Sequence, residues 1–136
     1  MSKPAGYSGT PLPAKLGIRA GGRVLLDSPP GGPDLGAHPD AVTLHPRPGS
    51  GSYDVVLLVA PSASRLQGRW PRLVPALGMA GRLWVCWPKR SAGVPTDLDE
   101  GAVREFGLAS GLVDVKVCAV DATWSGLAFV RRLRDR

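Results

Sequence analysis

Several groups of residues carry the chemistry of a ligand site. The stretch Val24-Leu25-Leu26-Asp27-Ser28-Pro29-Pro30-Gly31-Gly32 runs from aliphatic residues to a carboxylate and then a small-residue turn. Glycines at such a turn let the backbone approach a ligand closely, so Ser28, Gly31 and Gly32 are candidates. Ser62 follows a second apolar run. Trp87, Pro88 and Lys89 follow a third. They offer an indole that can stack on a ring and an ammonium that can meet a phosphate or carboxylate. Asp121, Thr123, Trp124 and Ser125 bring a carboxylate, two hydroxyls and another indole close together, and Tyr7, Ser8 and Thr10 add a phenol and two hydroxyls. Neither a nucleophile nor a metal centre stands out. Ser8 and Ser62 lack an evident base. His38 and His45 lie seven apart in a Pro/Gly-rich stretch, without a cysteine or carboxylate arrangement typical of a zinc site. Asp97, Asp99 and Glu100 suit a helix start better than paired acid–base work. No catalytic residue is assigned and no metal is expected.

These groups sit at the ends of predicted elements. Arg23–Ser28 reads as a buried strand stopped by residues 29–32. Ala41–His45 is a short strand, and Asp54–Ala60 a central one covered on both faces. Arg82–Trp87 is the next, ended by Pro88. Val113–Val120 alternates, with Val113, Val115, Val117 and Ala119 on one face and Asp114, Lys116 and Cys118 on the other, as in a half-exposed strand near an edge. Residues 121–126 form a turn and Leu127–Arg132 the last strand, giving a hairpin. Pro11–Leu16 is a short helix with Thr10 as N-cap and Gly17 as stop. Leu66, Trp70, Leu73, Val74 and Leu77 form one helical stripe, which Pro71 and Pro75 should kink or split. Thr96-Asp97 with Asp99 and Glu100 reads as a capping box. The helix it opens has Leu98, Ala102, Val103 and Phe106 as its apolar face and ends at Gly107 or Gly111.

A chain of 136 residues is expected to form a single domain over 1–136, with 1–10 as an N-terminal extension and 131–136 as a basic end. Its 43% apolar and 21% charged residues suit a folded protein. Its 18 glycines and 14 prolines exclude a long bundle or coiled coil. Half of the net charge of +6 comes from RRLRDR at the end. Arg131, Arg132, Arg134 and Arg136 are therefore candidates for nucleic acid, with a solvated end as the plain alternative. Cys86 and Cys118 read as free thiols of a reducing cytoplasm. The start lacks the apolar core of a signal peptide. The longest apolar run, Val55–Ala60, is far short of the ~20 residues of a membrane span. A cytoplasmic location without membrane contact is expected.

From residue 54 the order is strand, helix, strand, helix, strand, strand. Such alternation implies parallel strands with right-handed crossovers. The expected fold is α/β: a three-layer, Rossmann-like, mostly parallel sheet of about six strands with a C-terminal antiparallel hairpin. The pattern resembles, in shortened form, the class I S-adenosylmethionine-dependent methyltransferases. That resemblance implies strand order 2-1-3-4-6-5, the last strand inserting between its predecessors. It also implies a cofactor turn of the form V-L-D-x-G-x-G-x-G. Asp27 matches, but Pro29 replaces the first glycine, and the second strand ends in His45 where an acid should hold the ribose. S-adenosylmethionine is thus the cofactor implied, and the degraded turn argues against it, so none is expected. The segments YSGTPL (7–12), WPK (87–89), GLVDVKVCAVD (111–121) and TWSGLAFVRR (123–132) resemble an uncharacterised bacterial family, domain of unknown function 3052, over nearly the whole chain. That resemblance implies a small Rossmann-like cytoplasmic domain and carries no activity.

In open α/β sheets, ligands lie outside the carboxyl ends of the strands. The expected topology brings Tyr7, Ser8, Thr10, Ser28, Gly31, Gly32, Ser62, Trp87, Lys89, Asp121, Thr123, Trp124 and Ser125 to that edge. The expected function is a degenerate methyltransferase-like domain that binds a small molecule there, or a protein partner, most simply a second copy. A divergent methyltransferase and a nucleic-acid-associated protein are the alternatives. Each candidate has a plainer role. Trp87 and Trp124 would cap the core, Lys89 would be solvated, and Asp121 with Thr123 would close an Asx turn.

Overall fold

The computed structural model describes residues 10–136, so Tyr7 and Ser8 lie outside the described residues. The strands are β1 (Arg23–Asp27), β2 (Thr43–His45), β3 (Tyr53–Val59), β4 (Leu77–Pro88), β5 (Leu112–Ala119) and β6 (Trp124–Arg131). They form one sheet in the order β2-β1-β3-β4-β6-β5, as the resemblance implies. β2, β1, β3 and β4 pair in parallel, and β6 runs antiparallel to both β4 and β5. The helices are α1 (Leu12–Leu16), α2 (Ala63–Leu73) and α3 (Glu100–Ala109).

β3 is a continuous aliphatic run because both its faces are covered. Val56 and Leu58 join Leu66, Trp70, Leu73, Leu98 and Val103 in the core under α2 and α3. Val55, Leu57 and Val59 join Leu12, Leu16, Ile18, Trp84 and Trp124 in the core under α1. The layers are unequal, with helices of 11 and 10 residues on one side and of five on the other. Trp84, fully buried on the thin side, donates its indole N–H to the Leu16 carbonyl (2.9 Å). α3 lies tight on β6. A Cβ added at Gly107 would fall 2.1 Å from Phe129 Cε1, so only glycine fits there.

Several boundaries differ from the sequence reading. α1 has Pro11, not Thr10, at its N-cap, and no side chain caps it. α2 runs through Pro71 and tightens into a 3₁₀ turn at Val74–Ala76. Pro71 is near the helix end, where only the last turn loses a hydrogen bond. Leu77 then belongs to β4, whose pairing with β3 jumps from Leu77 to Arg82. α3 starts later than expected. Asp99 is its N-cap and accepts from the Ala102 N–H (2.8 Å), while Thr96 accepts from the Leu98 N–H and Asp97 caps another helix. Ala102 is exposed rather than part of the buried face.

The valine alternation of β5 does not survive. A bulge inserts Val115 between Asp114, which pairs with Phe129, and Lys116, which pairs with Ala128. One extra residue turns all later side chains to the other face. Val113 and Val117 therefore point to opposite faces, and Val115 and Val117 are exposed. β6 starts at Trp124, so Trp124 and Ser125 belong to the strand and not to the turn. Arg131 ends β6 and donates to the carbonyls of Val74 (2.9 Å) and Leu77 (2.8 Å), which makes it part of the fold rather than of a free basic end.

Candidate functional site

The carboxyl ends of β1, β3 and β4 form one edge. β1 delivers Asp27 there, only 9% exposed. A carboxylate withdrawn from water must be paired, and α2 supplies the partner. Its first turn carries Arg65, whose Nη2 donates to Asp27 Oδ1 (2.5 Å) and whose Nε donates to the Val59 carbonyl (2.9 Å). One guanidinium therefore joins the ends of β1 and β3, the neighbours between which the strand order reverses. Arg69, one turn on, brings Nε within 3.7 Å of Asp27 Oδ2. Arg72 follows, and the three arginines line an open groove along α2 with Ser62, Ser64 and Gly68.

The turn after β1 closes on itself. The Gly32 N–H donates to the Pro29 carbonyl (3.3 Å), and Ser28 Oγ donates to the same oxygen (3.0 Å). Gly31 has φ 86°, the left-handed position that a type II turn needs after Pro30. The start of α2 is also answered internally. Ser62 Oγ accepts from the Arg65 N–H (3.2 Å), and Asp97 Oδ1 accepts from the Ala63 N–H (2.8 Å). His45, at the end of β2, hydrogen-bonds the Tyr53 hydroxyl, which also accepts from the Gly49 N–H (2.8 Å).

Beyond β4 the edge is more open. Trp87, Lys89 and Ser125 share a cleft of about 610 Å³ with Arg90, Thr96 and Glu100. Trp87 is 5% exposed and Trp124 6%, in opposite core clusters, which is the core-capping role weighed for both against stacking. Asp121 Oδ1 accepts from the Thr123 and Trp124 N–H groups (2.8 Å each), which closes an Asx turn. The Thr123 carbonyl accepts from the Lys89 N–H (2.7 Å) and ties the hairpin to β4. The candidates thus separate: Trp87, Lys89 and Ser125 share the cleft, Ser62 faces the arginine groove, and Ser28, Gly31 and Gly32 form their own turn. Thr10 is exposed.

Arg65 was absent from the sequence reading. Its signal was indirect: Asp27, a lone acid ending a buried strand, required a cation from an element starting at the same edge. The cysteine geometry was absent as well. Cys86 and Cys118 each pair with Gly126, from opposite sides. Two strand spacings put their backbones roughly 10 Å apart, too far for a disulfide. Burial pushes the Cys86 thiol up, and Cys118 and Asp121 add to it. Burial also raises the Cys118 thiol, against the pull of Lys15 and Lys116. Among the described residues, no three His, Cys, Asp or Glu side chains gather as metal ligands. No helix among them is long and apolar enough to cross a membrane.

No protein-family model and no curated protein sequence matches the chain. Solved structures do match. The magnesium protoporphyrin IX methyltransferase of Synechocystis PCC 6803, solved with bound S-adenosylmethionine, aligns with TM-score 0.57 and 12% identity over 89% of this chain and 74% of that one. A ribosomal-protein methylase from Lactobacillus delbrueckii subsp. bulgaricus aligns with TM-score 0.46 and 14% identity over 69% of this chain, which spans 46% of that one. DhpI, in complex with S-adenosylhomocysteine, aligns with TM-score 0.47 and 14% identity, over 70% of this chain and 57% of that one. The fold is a Rossmann-type, class I methyltransferase-like sheet with helices.

Proposed function

We propose that this chain is a methyltransferase-like domain that works by binding rather than by methyl transfer, taking a small molecule in the cleft beyond β4. Arg65 carries this reading. At the switch point of such a sheet, a nucleoside-bearing ligand lies across the carboxyl ends of two neighbouring strands. Here one guanidinium already spans them, from the Val59 carbonyl to Asp27. Pro29 and Pro30 remove two backbone donors from the turn that should cradle the ligand. His45 stands where a carboxylate should hold the ribose and is engaged with Tyr53. The residues present do not fit S-adenosylmethionine in its usual pose. The cleft beyond β4 offers Lys89 and Arg90 against Asp97, Asp99 and Glu100, which suits a small polar molecule bearing both charges.

The segments resembling domain of unknown function 3052 support placing the chain in that bacterial family. Two free thiols held apart suit a reducing, cytoplasmic setting.

Titration calorimetry with S-adenosylmethionine and S-adenosylhomocysteine is the test. We expect no saturable heat up to millimolar ligand. Micromolar binding would overturn the reading and promote a divergent methyltransferase, which the likeness to a chain with bound S-adenosylmethionine favours.

A further inference from the structure

A second hollow lies at the opposite, amino edge of the sheet, on the thin side covered by α1. It holds about 470 Å³. Its floor is apolar, formed by the buried Ile18, Val24 and Val55. Its walls carry Arg19, Arg82 and Asp54. Gly17, Gly21 and Gly22 form part of its rim, and they put no side chain across the mouth.

Arg82 stands next to Val55 in the sheet register, which sets its side chain above the floor. It is half-buried, yet among the described residues it makes no ion pair and no side-chain hydrogen bond. Asp54 instead accepts from the Arg23 N–H (2.8 Å). A partly desolvated guanidinium without an acceptor is unfavourable, and its fork of donors matches anionic oxygens in pairs. An unanswered cation over an apolar floor asks for a ligand that has both an anionic head and an apolar body.

We propose that this hollow binds a compact apolar molecule carrying one carboxylate or phosphate. The head sits on Arg82 with Arg19 beside it, and the body lies on Ile18, Val24 and Val55. The site is at the other end of the strands from the cleft beyond β4 and is independent of it.

The test uses the full chain, labelled with nitrogen-15. It is titrated separately with phenylacetate, phenyl phosphate, inorganic phosphate and benzyl alcohol while backbone amide shifts are followed. We expect saturable shifts at Ile18, Gly21, Gly22, Val24 and Val55 with phenylacetate or phenyl phosphate, and the tighter of the two identifies the head group. Arg82→Gln should weaken that binding by about tenfold, the loss of a charge-assisted hydrogen bond. Should Arg82→Gln fail to fold, the exposed Arg19→Gln decides by the same loss in smaller measure. The proposal is overturned by absence of saturable shifts at millimolar probe, or by unchanged affinity in the folded variants. Inorganic phosphate or benzyl alcohol binding as tightly as the two amphipathic probes also overturns it.

Discussion

Asp27 is nearly buried, and Arg65 and Arg69 both reach its carboxylate. Removing one partner strands the other. Because Arg65 is about one-fifth exposed, solvent blunts the effect. Arg65→Ala should cost about 2 kcal/mol in urea unfolding, below the range for fully buried pairs. Arg65→Met with Asp27→Leu should recover most of that loss, and a double-mutant cycle measures the coupling. The two thiols give a pH prediction. Their folded pKa values are raised, so the folded state keeps its protons where the unfolded chain releases them. The associated stability is constant below the unfolded value of about 8.5 and falls as pH rises above it. Denaturation midpoints at pH 7 and pH 10 should therefore differ less in Cys86→Ala than in the parent. At this scale the sequence was only partly legible. The Asx turn at Asp121 was one of two readings that its neighbours allowed. The link from Arg65 to Asp27 spans 38 positions and follows no period.

Two glycines in two helices should respond with opposite signs. Gly107 faces Phe129 at a distance no methyl tolerates, so Gly107→Ala should destabilise by about 2 kcal/mol despite better helix propensity. A Cβ on Gly68 in α2 meets nothing within 4 Å, so Gly68→Ala should stabilise by about 0.5–1 kcal/mol. Thermal melts of both variants check this pair. Arg131→Ala should lower the melting temperature, because two carbonyls below α2 lose their donor, whereas deleting 132–136 should leave it nearly unchanged. The elements themselves were readable wherever an apolar run or a period was clean, as in the runs of β1 and β3 and the Leu66–Trp70–Leu73 stripe. Their ends were not. The start of α3 held three acids able to cap, and Asp97 was drawn away by the Ala63 N–H, a contact local sequence does not contain.

Among the described residues, several acids are tied to the backbone at the surface. Asp34, Asp54, Asp97, Asp99 and Asp121 each accept a backbone N–H. The chain carries a net charge of +6, with four arginines among its last six residues. Duplex DNA should bind loosely in about 50 mM salt and be released by about 200 mM, as fluorescence anisotropy would show. A duplex retained at the higher salt would make nucleic acid a genuine partner. The parallel pairing was legible because alternation and handedness leave few topologies, whereas the strand order came only with the methyltransferase resemblance. The thinness of the α1 side was foreshadowed only by the shortened form of the methyltransferase-like pattern. The bulge at Val115 has a consequence on this scale too. β5 is the outermost strand on its side, rich in valine, and a straight edge of that kind is a template on which further copies can lie down and nucleate fibrils. The extra residue breaks the regular spacing of its free N–H and C=O groups, and Lys116 sets a charge beside the break. A chain arriving from solution finds no long stretch to which it can stay registered, and the protein should remain dispersed at high concentration.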